Sequence, residues 1–396
     1  MRVATAAVTA ALALALLCAG IWLGGHPAEL PSFVRDAFVD ETATLTGEAA
    51  ETIEDNYFRS VPRARLNDSA LGGMVAELRR RYRDRFSHYF GPEALDRFEE
   101  ATEGRFSGVG LSVSEVPRGL RVADVFAGAP AEDAGIEPGD LIVSVEGKSI
   151  AGDDSAISTA SIKGPAGTSV TLGVLRPASG RRRTVTLERA EVTVPVVERR
   201  LVRTGGTRLG YVRLLGFTDG SHAPLRRAVQ RLRRLGAQGL VLDLRGNGGG
   251  LLREAILSAS IFLSEGEVVV RTRSRTQGHA VQRALGGNLK PEPMVVLINR
   301  DTASAAEILA SALADNGLAR TVGTRSFGKG VFQQVIDLSN GGALDLTIGR
   351  YFTASGISLA PKGIRPDVRA PDDPRTRADE QLRRALGVLR AEIRRR

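Results

Sequence analysis

A single cysteine, Cys18, leaves no intrachain disulfide and no thiolate metal cluster within reach of this chain. Histidine is almost as scarce. His26, His88, His222 and His279 are scattered without ligand spacing, so no metal or cofactor is expected. A Ser–His–Asp triad has no sequence signal here either. Lysine is thin as well: Lys148, Lys163, Lys290, Lys329 and Lys362 are all there are, and arginine supplies the rest of the 54 basic residues. The net charge of +9 comes without a nucleic-acid motif and reads as a solvated basic surface, so no nucleic-acid partner is expected. Long apolar runs are missing beyond the N-terminus, and 42% hydrophobic residues over 396 suits a globular chain of two or more domains.

The one long apolar run covers residues 3–23, behind Arg2 and ending near Trp22. A stretch of about 20 apolar residues is enough to span a bilayer, Arg2 fits the positive-inside rule and Trp22 an interfacial anchor. No small-x-small cleavage site follows. Residues 1–24 are therefore expected to be a single-pass anchor with the remainder outside the cytoplasm. A cleaved signal, giving a secreted or periplasmic form, is the alternative. Residues 25–47 read as a linker.

Residues 48–105 carry helical periodicity. Ile53, Tyr57 and Phe58 form one stripe; Leu71, Met74, Val75, Leu78, Tyr82 and Phe86 form another, expected to be core. Residues 106–190 read as a PDZ domain. Gly108, Val109, Gly110 and Leu111 form a loop whose backbone N–H groups can converge on a peptide carboxylate, and the following strand can pair with an extended peptide. The run Pro138-Gly139-Asp140 ahead of residues 141–145 supports that reading. Arg176, at the end of a PDZ strand, is either a relay residue or, as expected, an exposed arginine solvating that end. From 191 to 396 strands and helices alternate, predicting a mixed sheet with helices packed on it and a final amphipathic helix over 379–393.

The chemistry concentrates in that last region. Ser304 follows the apolar run 294–298 in Asn299-Arg300-Asp301-Thr302-Ala303-Ser304-Ala305-Ala306-Glu307, and Lys329 lies in Ser326-Phe327-Gly328-Lys329-Gly330, four residues before Gln333. A base made from a cation must be lysine, because arginine cannot release its proton. Ser304 at a strand-to-helix junction could equally be an N-cap. Gly323 to Lys329 fits a P-loop until Gly330, where a hydroxyl residue is needed for magnesium, and a strand rather than a helix follows.

These segments resemble the tail-specific, C-terminal processing peptidases (S41 type), serine proteases with a Ser–Lys dyad. The resemblance runs from residue 48 to the C-terminus. It implies an α/β (α+β) protease core related to the crotonase fold, with a helical N-terminal subdomain and an inserted PDZ domain. It implies Ser304 as nucleophile, Lys329 as general base and Gln333 as its orienting partner. The family pattern Asp-Leu-Arg-x-Asn-x-Gly-Gly maps onto residues 243–250 and implies Gly249, with Ala305, as oxyanion donors. The function implied is endopeptidase cleavage near unstructured C-terminal tails of extracytoplasmic proteins, with the PDZ domain binding the substrate C-terminus and gating access. The membrane is a partner through the anchor, and a homo-oligomer is left open. The non-enzymatic alternative is a PDZ-bearing scaffold that binds protein C-termini.

Overall fold

The computed structural model describes residues 41–395 apart from 154, 288, 290–292, 373–374 and 377. The expected anchor, residues 1–24, lies outside the described residues, as does most of the linker. Among the described residues no helix is long and apolar enough to cross a membrane. The chain divides into two compact units after Tyr89.

In the first unit, helices Glu41–Asn56 and Arg63–Tyr82 are tied where they meet by Arg63 Nε donating to Glu54 Oε2 (3.0 Å). The first helix starts inside the segment expected to be linker. The expected core stripe is corrected more strongly. Val75 is buried, but Phe58 is 77% exposed and Tyr82 69%, with Ile53, Tyr57 and Met74 exposed as well. Periodicity identifies an apolar face but not what covers it, and two helices share only one seam.

The second unit opens with helix Pro92–Glu103 and contains two six-stranded sheets of different design, with smaller sheets beside them. The PDZ sheet is antiparallel, in the order Leu111–Val116, Gly119–Val125, Leu141–Val145, Ser169–Arg176, Arg181–Glu188. Leu111–Val116 is an edge strand. Beneath the sheet Leu120, Val122, Ile142, Val170, Leu172 and, from helix Ser155–Ile162, Ile162 form one core. Arg105–Gly108 pairs with Ala190–Thr193 where the chain enters and leaves the domain. Arg176 is not the solvated strand end expected. Its Nε and Nη2 fork onto Asp140 at 2.9 Å each, and it also reaches Glu137 (3.0 Å) and the Gly135 carbonyl (3.0 Å). It holds the 135–140 turn against the sheet.

The larger core is built on Val197–Thr204, Thr207–Leu214, Leu240–Asp243, Met294–Ile298, Ala319–Gly323 and Val368–Arg369, in that order and parallel after the first hairpin. Leu240–Asp243 and Met294–Ile298 are buried at every position, as strands covered on both faces must be. Alternation then sorts their side chains. Leu240, Leu242, Met294, Val296 and Ile298 face helices His222–Arg234, Leu252–Ser260 and Ala305–Asp315. Val241, Val295 and Leu297 face the C-terminal helix Glu380–Arg395 through Leu382, Ala385 and Leu389. On His222–Arg234 the buried residues Leu225, Ala228, Val229 and Leu232 follow the 3.6 period, each full-size aliphatic contributing roughly 1.5–3 kcal/mol by burial. A second, antiparallel sheet joins Val331–Asp337, Ala343–Phe352, Val268–Ser274 and Gly278–Arg283.

Candidate active site

Ser304 stands between strand Met294–Ile298 and helix Ala305–Asp315 with φ 54° and ψ −119°. A non-glycine residue with positive φ is strained by about 1–3 kcal/mol and persists only when its neighbours hold it. Here they do. The Ala303 N–H donates to the Asn247 carbonyl (3.0 Å), Thr302 Oγ1 donates to the Leu244 carbonyl (2.8 Å), and the Ser304 N–H donates to Glu307 Oε2 (2.9 Å). An N-cap residue ordinarily has extended backbone angles, so a simple cap does not account for this conformation.

Gly249 lies directly against this turn. A Cβ added there would sit 2.9 Å from Ser304 Cβ and 3.1 Å from the Ala305 nitrogen, and its φ is 104°. Both the space and the angle demand glycine. The structure thus brings Ser304, Ala305 and Gly249 together. It also adds a detail: the Gly249 N–H already donates to Asn247 Oδ1 (2.9 Å), while Asn247 Nδ2 donates to the Leu214 carbonyl (2.9 Å). The buried Asn247 therefore shapes the turn from inside.

Lys329 sits in the loop before strand Val331–Asp337 and is half-buried. Burial lowers its ammonium below the ordinary lysine range, and the negative charge of buried Asp345 works against that fall. The lysine loop is fastened to the serine turn at several points. The Phe327 N–H donates to the Thr302 carbonyl (3.0 Å). Glu307 accepts from the Lys329 N–H (2.9 Å), the Gly328 N–H (2.8 Å) and Ser326 Oγ (2.5 Å). Gln333 is one strand further on. The register slips between Phe332 and Gln333, and the Gln333 amide donates to Thr347 Oγ1 (3.2 Å) across the hairpin.

The PDZ residues form a separate site. Gly108, Val109, Gly110 and Leu111 line a largely apolar groove of about 580 Å³, closed by Phe106, Phe126, Ile162 and residues of helix Pro92–Glu103. Gly110 has φ 80°, and a Cβ there would run into Ala129. Lys163 stands at the groove with its ammonium bonded to Glu100 (2.7 Å) and 5.5 Å from the centre of the Phe106 ring. Ser107 Oγ donates to the Gly164 carbonyl (2.7 Å), fixing this end of the groove. A larger cavity, about 1030 Å³, borders Arg245, whose pairs with Asp243 and Asp379 cross it; none of the candidate catalytic residues lines it.

Residues 208–370 match peptidase family S41, and residues 121–176 match a PDZ domain. The carboxy-terminal processing protease CtpA of Bacillus subtilis is 33% identical over 323 residues, spanning 82% of this chain and 68% of that protein. The carboxyl-terminal-processing protease of Picosynechococcus is 33% identical over 366 residues, spanning 90% and 87%. The chain belongs to peptidase family S41. A solved structure, the photosystem II D1 C-terminal processing protease, is 30% identical with a TM-score of 0.50, covering 89% of this chain and 98% of that one. This S41 peptidase is a serine protease of the carboxy-terminal processing kind with a PDZ domain, and proteins are its substrates.

Three residues of this S41 site carried no role in the sequence reading. Glu307 stood inside the serine motif, but three of its four hydrogen-bond partners lie 19 to 22 positions away. Asp345 sits on an ordinary alternating strand. Asn247 was part of the glycine motif, where burial and not type reveals its work.

Proposed function

We propose that the enzyme is a Ser–Lys endopeptidase. Ser304 Oγ attacks the scissile carbonyl carbon while Lys329 Nζ, in the neutral form that burial favours, takes the hydroxyl proton. The oxyanion receives N–H groups from Ala305 at the helix start and from Gly249, the latter exchanging its Asn247 contact for the substrate oxygen. As the C–N bond breaks, Lys329 returns the proton to the leaving amine. Water, deprotonated by the same lysine, then hydrolyses the ester and regenerates Ser304. Gln333 orients the lysine amine from the adjoining hairpin. The single observation supporting this reading most is the convergence of a strained Ser304, a glycine pressed against it and a lysine loop bonded to the serine turn.

In this reading the PDZ groove takes the free C-terminus of an unfolded tail, which adds as a strand beside Leu111–Val116 with its carboxylate on residues 108–111. Binding biases access to Ser304 only if two arrangements of the enzyme differ in peptide affinity. The domain limits are taken as 48–105, 106–190 and 191–396. Residues 1–24 anchor the enzyme with its catalytic region outside the cytoplasm. Fractionation followed by N-terminal sequencing tests the last point: the full-length chain should stay with the membranes, and a soluble mature chain starting near residue 25 overturns the anchor.

The dyad is tested on an unstructured peptide with a free C-terminus. Ser304→Ala, Lys329→Ala and Lys329→Arg should each abolish cleavage while the protein stays folded, the last because arginine keeps its proton. Wild-type turnover by Lys329→Arg would remove the base assignment. A scaffold role is set aside, since the relatives covering most of this chain are processing proteases.

A further inference from the structure

We infer that Glu307 is a positioning residue for the reaction: its carboxylate is the strut that sets the nucleophile turn and the lysine loop at one fixed separation. The inference rests on the Ser–Lys reading and goes beyond it. Glu307 is 0% exposed, and no water-facing role is open to it. Oε2 accepts from the Ser304 N–H and the Lys329 N–H, both at 2.9 Å. Oε1 accepts from the Gly328 N–H at 2.8 Å and Ser326 Oγ at 2.5 Å. One oxygen thus touches the backbone of both proposed dyad residues at once.

The ordinary explanation for glutamate at this position is a capping box, in which the third helical residue accepts from the N-cap N–H. That explains one of the four bonds. It does not explain why the side chain is fully buried or why the other three donors all come from residues 326–329. Burying a carboxylate costs several kcal/mol unless every lone pair is used, and an apolar residue of the same volume would pack more cheaply. A charge retained here is accounted for by what it aligns. The carboxylate supplies acceptors on two sides, whereas glutamine supplies one acceptor and one donor. Glu307→Gln must therefore confront at least one backbone N–H with an amide N–H. Ser326 is itself fixed, since its Oγ also accepts the Ile364 N–H (2.6 Å), so the loop cannot turn away freely.

The arrangement of the dyad, and not substrate binding, should suffer. Misplacement by about 1 Å costs on the order of 10²-fold in rate. Glu307→Gln should lower kcat by about 10²-fold with KM within about threefold, and slow phosphonylation of Ser304 by a fluorophosphonate by the same factor. Glu307→Asp, too short to reach both segments, should not rescue. Should Glu307→Gln fail to fold, Ser326→Ala decides. It removes the hydroxyl donor to the strut together with the acceptor of the Ile364 N–H, and in the folded variant should lower kcat by about tenfold with KM unchanged, the size of one hydrogen bond to a charged group. A kcat within twofold of wild type in the folded variant, or a loss confined to KM, overturns the strut. Because Lys329→Ala is run alongside, the two ideas separate: a dead Lys329→Ala with an active Glu307→Gln leaves the dyad standing and removes the strut, whereas an active Lys329→Ala removes the dyad.

Discussion

Two glycine turns in this chain have similar compositions and opposite behaviour. Residues 246–250 are braced from within by Asn247 and pressed on the serine turn, so that in the proposed reading only the Gly249 N–H changes partner when substrate arrives. Residues 108–111 border an open apolar groove beside a strand at the edge of the PDZ sheet as the described residues form it. In the first turn glycine allows a close approach of protein to itself. In the second it lets the chain bend at the mouth of the groove proposed to take a peptide. The same residue type therefore supports close packing on the serine turn in one domain and an open groove, proposed to bind a peptide, in the other.

Substitutions should separate the two turns sharply. The largest effect is expected from Gly249→Ala, whose new methyl meets Ser304 and Ala305 at a positive φ. Single-turnover cleavage should fall by about 10²–10³-fold, the scale of a lost oxyanion donor, while binding of a free-acid peptide is retained. A near-normal rate would mean that the turn is more pliable than its packing indicates. Gly110→Ala should do the reverse. An L-residue there is strained by roughly 1–2 kcal/mol and also meets Ala129. Affinity for the free acid should drop about tenfold toward that of the C-terminal amide, measured in the Ser304→Ala background, with Ser304 phosphonylation in the parent enzyme unaffected. Equal affinity of wild type for acid and amide would remove carboxylate capture from this loop.

Acidity sharpens the contrast further. Asp345→Asn removes the charge that holds the Lys329 ammonium on, so its pKa should fall further. A base must be neutral, and the acid limb of the kcat profile should therefore move to lower pH. A limb that stays in place, or moves up, would show that another group sets it. On the PDZ side the charges are structural. Burial pushes the Asp140 carboxyl up, but the Arg176 fork and the Glu137 N–H hold it below the ordinary aspartate value of 3.8. A carboxylate depressed on folding adds stability above its unfolded pKa and loses it as pH falls through the folded one. Arg176→Ala should lower the melting temperature of the PDZ transition at neutral pH, and the gap to wild type should narrow below about pH 4, as followed by calorimetry. This is the smallest effect of the four.

The serine motif, the lysine loop and the PDZ loop were all legible because each is local: a buried strand, a helix start or a glycine turn announces itself within ten residues. What was not legible depends on distance. Nothing near Glu307 in sequence tells that Ser326, Gly328 and Lys329 return to it. Strands Val197–Thr204 and Val268–Ser274 went unread because their outward positions carry arginines that dilute the alternation. The apolar stripe through Met74 and Tyr82 was read correctly as a helical face and wrongly as core, since coverage is a property of neighbours and not of period.

The backbone angles of Ser304 set activity against endurance. A glycine at 304 would relax a conformation that serine or alanine can hold only under strain. Ser304→Gly should therefore melt above both wild type and Ser304→Ala, while being equally dead. On the proposed reading the nucleophile is kept at the expense of robustness, and a substrate trap made from this enzyme would be sturdier with glycine than with alanine.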